Sequence, residues 1–293
     1  MTRGRIVLIL LAVGAVVIPH ALDAQCNPAT QRLITNRKYD DARTDLEAQL
    51  KRAPGDDAAM ECIGRFLLDQ GESSDAVDWL EKAVAINSKN AQHHLSLGLA
   101  LRAEAGKASM LSAPALFGRM KTEYEQAVAL DPALVDARYA LLQVLAQVPP
   151  AMGGSIAKAR EHSAELLRLN PIRGHLGYGI AAEQEKDFVG AEKEFLAAIA
   201  VRPDSDVAYG ATGAFYRRRE RWNDAVAMYE KQLKAMPKDA TQTRISNAHY
   251  FLGMAHDKSG HGDKAKAEYQ AAITANPKNE DAKRALASLK EGI

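Results

Sequence analysis

GIAAEQEKDFVGAEKEFLAAIAVRP, Gly179 to Pro203, is followed by a stretch built the same way, GAFYRRRERWNDAVAMYEKQLKAMP, Gly213 to Pro237. Gly179, Ala191, Phe195, Ala198 and Pro203 are matched by Gly213, Ala225, Tyr229, Gln232 and Pro237, each 34 residues on. A third copy has Gly253, Ala265, Tyr269, Ala272 and Pro277, a further 40 residues on, so six residues have been inserted ahead of it. Near the other end Ala42 and Leu46 return as Ala76 and Leu80, and Gly64 as Gly98, again at 34. A fixed period of this length marks a chain assembled from stacked supersecondary units.

The unit is helical. Ala191, Phe195, Ala198 and Ile199 fall on one face of a helix, and no segment alternates apolar and polar residues as a half-buried strand would. Glycine and alanine at fixed places let helix axes approach closely. Phe195, Tyr229 and Tyr269 then fill the space between helices. Prolines in VALDPAL, AVRPDS, LKAMPKD and ITANPKN stop the second helix of each unit.

These residues resemble the tetratricopeptide-repeat family: a small residue in the first helix, small–aromatic–small in the second, then proline, at a period of 34. The resemblance covers residues 26 to 293. It implies an all-α solenoid of antiparallel helix pairs wound into a right-handed superhelix. Seven repeats are expected at about 23–56, 57–90, 91–134, 135–171, 172–205, 206–245 and 246–279, closed by a cap at 280–293. In the first repeat Thr30 stands where the glycine-like residue belongs, which suits a terminal unit. In the cap, Ala282, Ala285, Leu286 and Leu289 form one apolar face that should cover the end of the stack.

The chain begins MTRGRIVLILLAVGAVVIPHALDAQC. Arg3 and Arg5 precede an uncharged apolar run, Ile6 to Ile18, then Pro19 and the small residues Ala21 and Ala24. This is the layout of a secretory signal, residues 1–24, and the run is short for a membrane span. Cleavage after Ala24 is expected, with export to a bacterial periplasm. An uncleaved anchor and a lipoprotein starting at Cys26 are alternatives; Asp23 and Gln25 fit the second badly. Lys and Arg number 38 against 37 Asp and Glu, which leaves no electrostatic footprint for nucleic acid and no polybasic membrane patch. No second long apolar run follows, so membrane insertion of the mature chain is not expected.

Cys26 and Cys62 are the two cysteines, too few for structural zinc. The resemblance puts them in first helices of adjacent repeats, which pack side by side. A Cys26–Cys62 disulfide in an oxidising compartment is therefore expected, with two free thiols as the alternative.

Two repeats are irregular. Ala83 and Ala127 are 44 apart, and the ten extra residues lie within EAGKASMLSAPALFGRM, Glu104 to Met120. The first helix is expected to run on, break near Ser112–Pro114 and return. Met110, Leu111, Leu116, Phe117 and Met120 make the insertion apolar, so it either packs on its own repeat or forms a partner-binding lid. The other irregular repeat contains VPPAMGGSIAKAR, Val148 to Arg160, which superficially suggests a phosphate loop. Such a loop needs a preceding strand and a Gly–Lys–Ser/Thr ending. Here the preceding residues are helical and Lys158 follows Ser155. Pro149 and Pro150 end one helix, Gly153 and Gly154 turn the chain, and Ser155 caps the next.

No arrangement of residues points to catalysis, a cofactor or a metal. HDKSGHGD, His256 to Asp263, reads as a polar turn rather than a metal site, and His93 and His94 are adjacent rather than one turn apart. RRRERW, Arg217 to Trp222, is either a solvated helix end or an anion contact. The family resemblance implies a concave face lined by first helices: Arg65, Leu95, Leu99, Arg102, Tyr139, Gln143, Leu176, Ile180, Arg217, Tyr250 and Met254. The Lys and Asn set with which some relatives grip the carboxylate of chaperone tails has no counterpart at the matching positions. The expected function is a non-catalytic scaffold that takes a peptide or partner protein in that groove. The alternative is an envelope transport or assembly accessory holding a small apolar or anionic molecule near Met110–Phe117.

Overall fold

First helices open on short polar side chains that satisfy the free N–H groups of the first turn. Asn27, Asp56, Asn90, Asn170, Ser205 and Thr241 all do this. The computed structural model describes residues 26–36, 38–109 and 112–290. Residues 1–24 of the expected signal, Met110 and Leu111 of the insertion, and the last three residues of the cap lie outside them.

Among the described residues the chain forms seven helix pairs and a final helix. The pairs are α1 (Pro28–Thr35) with α2 (Tyr39–Arg52), α3 (Asp57–Asp69) with α4 (Ser73–Ile86), α5 (Ala91–Ala105) with α6 (Ala113–Leu130), and α7 (Val135–Gln147) with α8 (Ile156–Leu169). Then come α9 (Pro171–Gln184) with α10 (Phe188–Val201), α11 (Asp206–Arg218) with α12 (Trp222–Ala235), and α13 (Gln242–Lys258) with α14 (Gly262–Ala275). The final helix is α15 (Glu280–Lys290). The fold is an all-α helix-turn-helix solenoid.

Four of the turns inside repeats share one backbone device. Gly71, Lys186, Glu220 and Gly260 are left-handed, with φ of 80°, 65°, 56° and 79°. The next residue returns its N–H to a carbonyl five positions back: Glu72 to Leu67, Asp187 to Ala182, Arg221 to Tyr216 and His261 to His256, at 2.9–3.0 Å. Glycine takes this conformation without cost, whereas Lys186 and Glu220 do not.

The glycine of the first helix receives the large side chain of the second. A Cβ at Gly98 would stand 2.5 Å from the Tyr124 ring, and one at Gly213 2.8 Å from Tyr229. The same pairing joins Gly179 to Phe195 and Gly253 to Tyr269. Repeat 4 reverses it. Leu142 holds the glycine's place on α7, and Ser163 holds the aromatic's place on α8. Both are fully buried.

Three irregularities redirect the chain. The helix α5 ends at Ala105 instead of running on, and Pro114 sits in the first turn of α6 instead of marking a break. The extra residues lengthen α6 to 18 residues, because proline needs no N–H partner in a first turn. The partly buried Leu116 and Phe117 pack onto the core, and Met120 is inside it. In repeat 4 a 3-10 turn, Pro150–Met152, leads to left-handed Gly153 (φ 87°). A Cβ at Gly154 would collide with the Val148 carbonyl, and Ser155 caps α8. In repeat 7 the insertion adds a turn to the start of α13, which has 17 residues where α11 has 13.

Cys26, just before α1, and Cys62, inside α3, form a disulfide with Cα atoms 5.1 Å apart. Next to it, repeats 2 and 3 are joined by buried polar groups. The His93 ring is 2.9 Å from an Asp57 oxygen and 3.5 Å from Glu61, and Ser96 donates to Glu61 at 2.7 Å. Burial pushes the imidazole pKa down, but the bonds to Glu61 and Asp57 outweigh this and raise it. Thr30 is also buried, with its hydroxyl donating to Asp45 and accepting from Gln49.

Candidate functional site

Helical spacing determines which first-helix residues point the same way. On α13, Thr243, Tyr250 and Met254 share a stripe; on α3, Arg65 and Asp69 are one turn apart. Of the eleven residues expected to line the concave face, Leu95, Tyr139, Gln143, Leu176 and Ile180 are buried. Arg65, Leu99, Arg102, Arg217, Tyr250 and Met254 keep partial exposure. The buried five are packing residues. Tyr139, 3% exposed, is covered by the Arg173 guanidinium 4.3 Å above its ring. Burial raises the pKa of its hydroxyl, and nearby Arg173 offsets this only in part.

The exposed members fall into two places. Arg102 on α5 bonds Gln143 on α7 at 3.3 Å. With Phe117, Met120, Val144, Gln147 and Val148 the pair borders a shallow cavity with room for roughly one water-sized molecule. The second place lies between repeats 6 and 7. Arg217, in the last turn of α11, lies 4.9 Å from the centre of the Phe251 ring on α13. Its charge reaches Tyr250 and the buried hydroxyl of Tyr229. The guanidinium Nε and Nη2 and the Tyr229 hydroxyl are buried side by side, and Tyr229 is the group that Arg217 bonds. Buried donors of this kind are costly to leave unmade.

The rest of the RRRERW cluster is committed to the fold. Arg218 makes two bonds to Glu183, at 2.8 and 2.7 Å. Arg221 bonds Glu192 at 2.8 Å and Asp224 at 2.6 Å, and Arg219 stacks 3.5 Å from the centre of the Phe188 ring. Arg217 and Arg219 therefore lack a carboxylate partner among the described residues, and Arg217 is the one placed between repeats 6 and 7.

In the HDKSGHGD turn, His256 is buried on α13 and held below its ordinary pKa by burial and Lys264. Its ring meets His261 edge-on at 5.9 Å. Among the described residues no three His, Cys, Asp or Glu side chains are grouped to hold a metal ion, and no helix is long and apolar enough to cross a membrane.

The sequence reading missed a further set of inner residues: Asp69, Arg173, Asp206, Thr243 and Arg244. Arg244 pairs with Asp206, both nearly buried, and Arg173 of α9 lies close to Arg244. The six-residue insertion before repeat 7 was the available signal, since it supplies the turn that carries Thr243 and Arg244.

Comparison with known proteins agrees with this geometry. Tetratricopeptide-repeat family models match residues 31–91, 208–243 and 246–279. No protein of curated function matches the sequence. A tetratricopeptide-repeat protein from Parabacteroides merdae is similar in structure, with 16% identity, a TM-score of 0.60, and 89% of this chain and 96% of that one covered. Yeast Tom70 is similar at 15% identity and TM-score 0.61, covering 87% of this chain and 52% of its own. A thermophilic repeat protein from Thermus thermophilus matches at 19% identity and TM-score 0.50, over 69% of this chain and 99% of that one. Identities this low speak for the fold alone. Taken with the period and the paired helices, the family matches identify tetratricopeptide repeats at residues 31–91, 208–243 and 246–279 of the chain.

Proposed function

We propose that this protein is a non-catalytic scaffold that takes an extended segment of a partner protein between repeats 6 and 7, with Arg217 holding an acidic group. What supports this is the Arg217 guanidinium, partly exposed between Phe251 and Tyr250 and without a carboxylate partner among the described residues. A carboxylate is the ligand that such a fork pairs with best. Tyr250 and Met254 on the adjacent stripe add apolar surface for neighbouring side chains. The cavity beside Arg102 is too small to favour a small-molecule ligand there. A cell-envelope location is part of the proposal. It is supported by the Cys26–Cys62 disulfide, a bond kept in oxidising compartments, and by the signal-like pattern of residues 1–24.

Short peptides selected for binding to the purified protein should be rich in Asp and Glu or depend on a free carboxyl end. Measured by fluorescence anisotropy, Arg217→Ala should weaken them about tenfold or more, and Arg102→Ala far less. Tyr139→Ala is unsuitable as a surface test because it opens a cavity in the core. Unchanged affinity of Arg217→Ala for every selected peptide would remove the reading.

A further inference from the structure

The six residues inserted ahead of repeat 7 close the superhelix on itself. They lengthen the connection after α12 and add the first turn of α13. That turn reaches repeat 2, 174 residues away in sequence: the Thr243 hydroxyl donates to the Asp69 carbonyl oxygen at 2.9 Å. The Thr241 side chain bonds the Asp69 carboxylate. Beyond α14, the Lys278 ammonium bonds Glu72 at 3.3 Å, and Glu72 also holds Arg43 at 2.7 Å. On its other side the same turn lies over the inner ends of α9 and α11, where Arg244 pairs with Asp206 and Arg173 is buried close by.

We propose that residues 236–245 form a strap that latches repeat 7 onto repeat 2 and covers the first turns of α9 and α11, and that release of this latch admits the partner. The latch is polar throughout. On the repeat 2 side two hydrogen bonds and an ion pair whose lysine is 61% exposed are contacts that water replaces at small cost, whereas on the α11 side the nearly buried Arg244–Asp206 pair must part as well. Closure also imposes two penalties. It buries the Asp69 carboxyl, which burial pushes up to about 6 against the opposing pull of Thr241 and Arg65. It also holds the Arg173 and Arg244 guanidinium groups near each other. Opening relieves both, and it exposes arginines that an acidic segment would pair with. That last step rests on the peptide-binding reading above; the latch itself does not.

The test uses the full chain with its disulfide intact. Spin labels are placed at two exposed positions, Ser74→Cys on α4 and Lys238→Cys in the strap, and their separation is measured by pulsed electron resonance. The native latch should give one narrow, short distance. Thr241→Val/Thr243→Val/Lys278→Ala should add a longer population with an unchanged helical spectrum. Lys278→Ala alone, at an exposed site that tolerates substitution, should add a smaller one. In parallel, Arg173→Cys at the start of α9, close to Arg244 of the strap, should react with a bulky maleimide at least tenfold faster when the three latch substitutions are present. A broad, long distance in the native chain, or the same single distance in all three proteins, overturns the latch. A longer distance with no change in Arg173→Cys labelling overturns the covering role. An opened chain that binds no selected peptide leaves the strap standing and removes the peptide reading instead.

Discussion

Repeat 4 and repeats 5 to 7 solve the same packing problem with opposite assignments. In repeats 5 to 7 a glycine on the first helix makes a hole, and Phe195, Tyr229 or Tyr269 on the second helix fills it. In repeat 4 the first helix supplies the bulk through Leu142 and the second supplies the small residue, Ser163. Gly177 of the next repeat then packs against both, where a Cβ would lie 2.5 Å from Leu142 and 2.6 Å from the Ser163 oxygen. What the solenoid keeps constant is therefore the volume between two helices, not the residue at either place. Interiors packed near crystal density require that total and leave its division open.

The comparison breaks most visibly under truncation. Tyr229→Ala should lower stability by about 3–5 kcal/mol, whereas Ser163→Ala at the corresponding place should cost about 1 kcal/mol or less. Leu142→Ala should cost about 2–5 kcal/mol although its counterparts are glycines. Denaturant midpoints read all three. Similar losses at Tyr229 and Ser163 would mean that repeat 4 does not reverse the assignment.

An exchange sharpens it. Leu142→Gly empties repeat 4 and Ser163→Phe overfills it, so each alone should destabilise. Together they restore the pattern of repeat 5, and the double-mutant cycle should show a favourable coupling of about 0.5–3 kcal/mol. Strict additivity would show that the two side chains do not share one space.

A second contrast separates the polar joint of repeats 2 and 3 from the aromatic packing farther along, where Phe195 meets Phe215 at 5.0 Å and Tyr229 meets Phe251 at 6.0 Å. The raised pKa of His93 makes the polar joint sensitive to pH. A group raised on folding contributes stability that is complete below its unfolded value, near 6.5, and is lost as pH rises through the folded value. Protection of α3 and α5 amides from exchange should therefore fall as pH rises above about 6.5, while that of α13, where His256 is held below its ordinary pKa, should not fall. His93→Gln should abolish the difference. A uniform pH response along the chain would place the titration elsewhere.

The smallest effect concerns the turns. Gly71 and Gly260 meet the left-handed requirement freely, and Lys186 and Glu220 meet it under strain. Glu220→Gly should raise the melting midpoint by an amount equivalent to about 0.5–1 kcal/mol, whereas Gly260→Ala should lower it. A neutral Glu220→Gly would mean that the glutamate side chain repays the strain.

Much of this was legible in the chain itself. The paired helices, the second helices among them, and the capping role of Ser155 follow from spacing, proline and turn chemistry, all of which act within one unit. The insertion at Glu104 to Met120 was located but misassigned: it lengthens α6 rather than α5, because Pro114 begins a helix as readily as it ends one. The concave list mixed accessible and buried residues. Spacing shows which way a side chain points, but not whether another repeat lies over it.

That division has a physical basis. Period, residue size and cap chemistry are local, so the sequence alone determined an all-α solenoid of seven pairs and a final helix. Whether the groove is open depends on small rotations summed over successive repeats, and no single stretch encodes that sum. Tertiary structure decided that Thr243 meets Asp69 and that Tyr139 lies inside. It also decided that Arg217, unlike Arg218 and Arg221, has no carboxylate partner among the described residues.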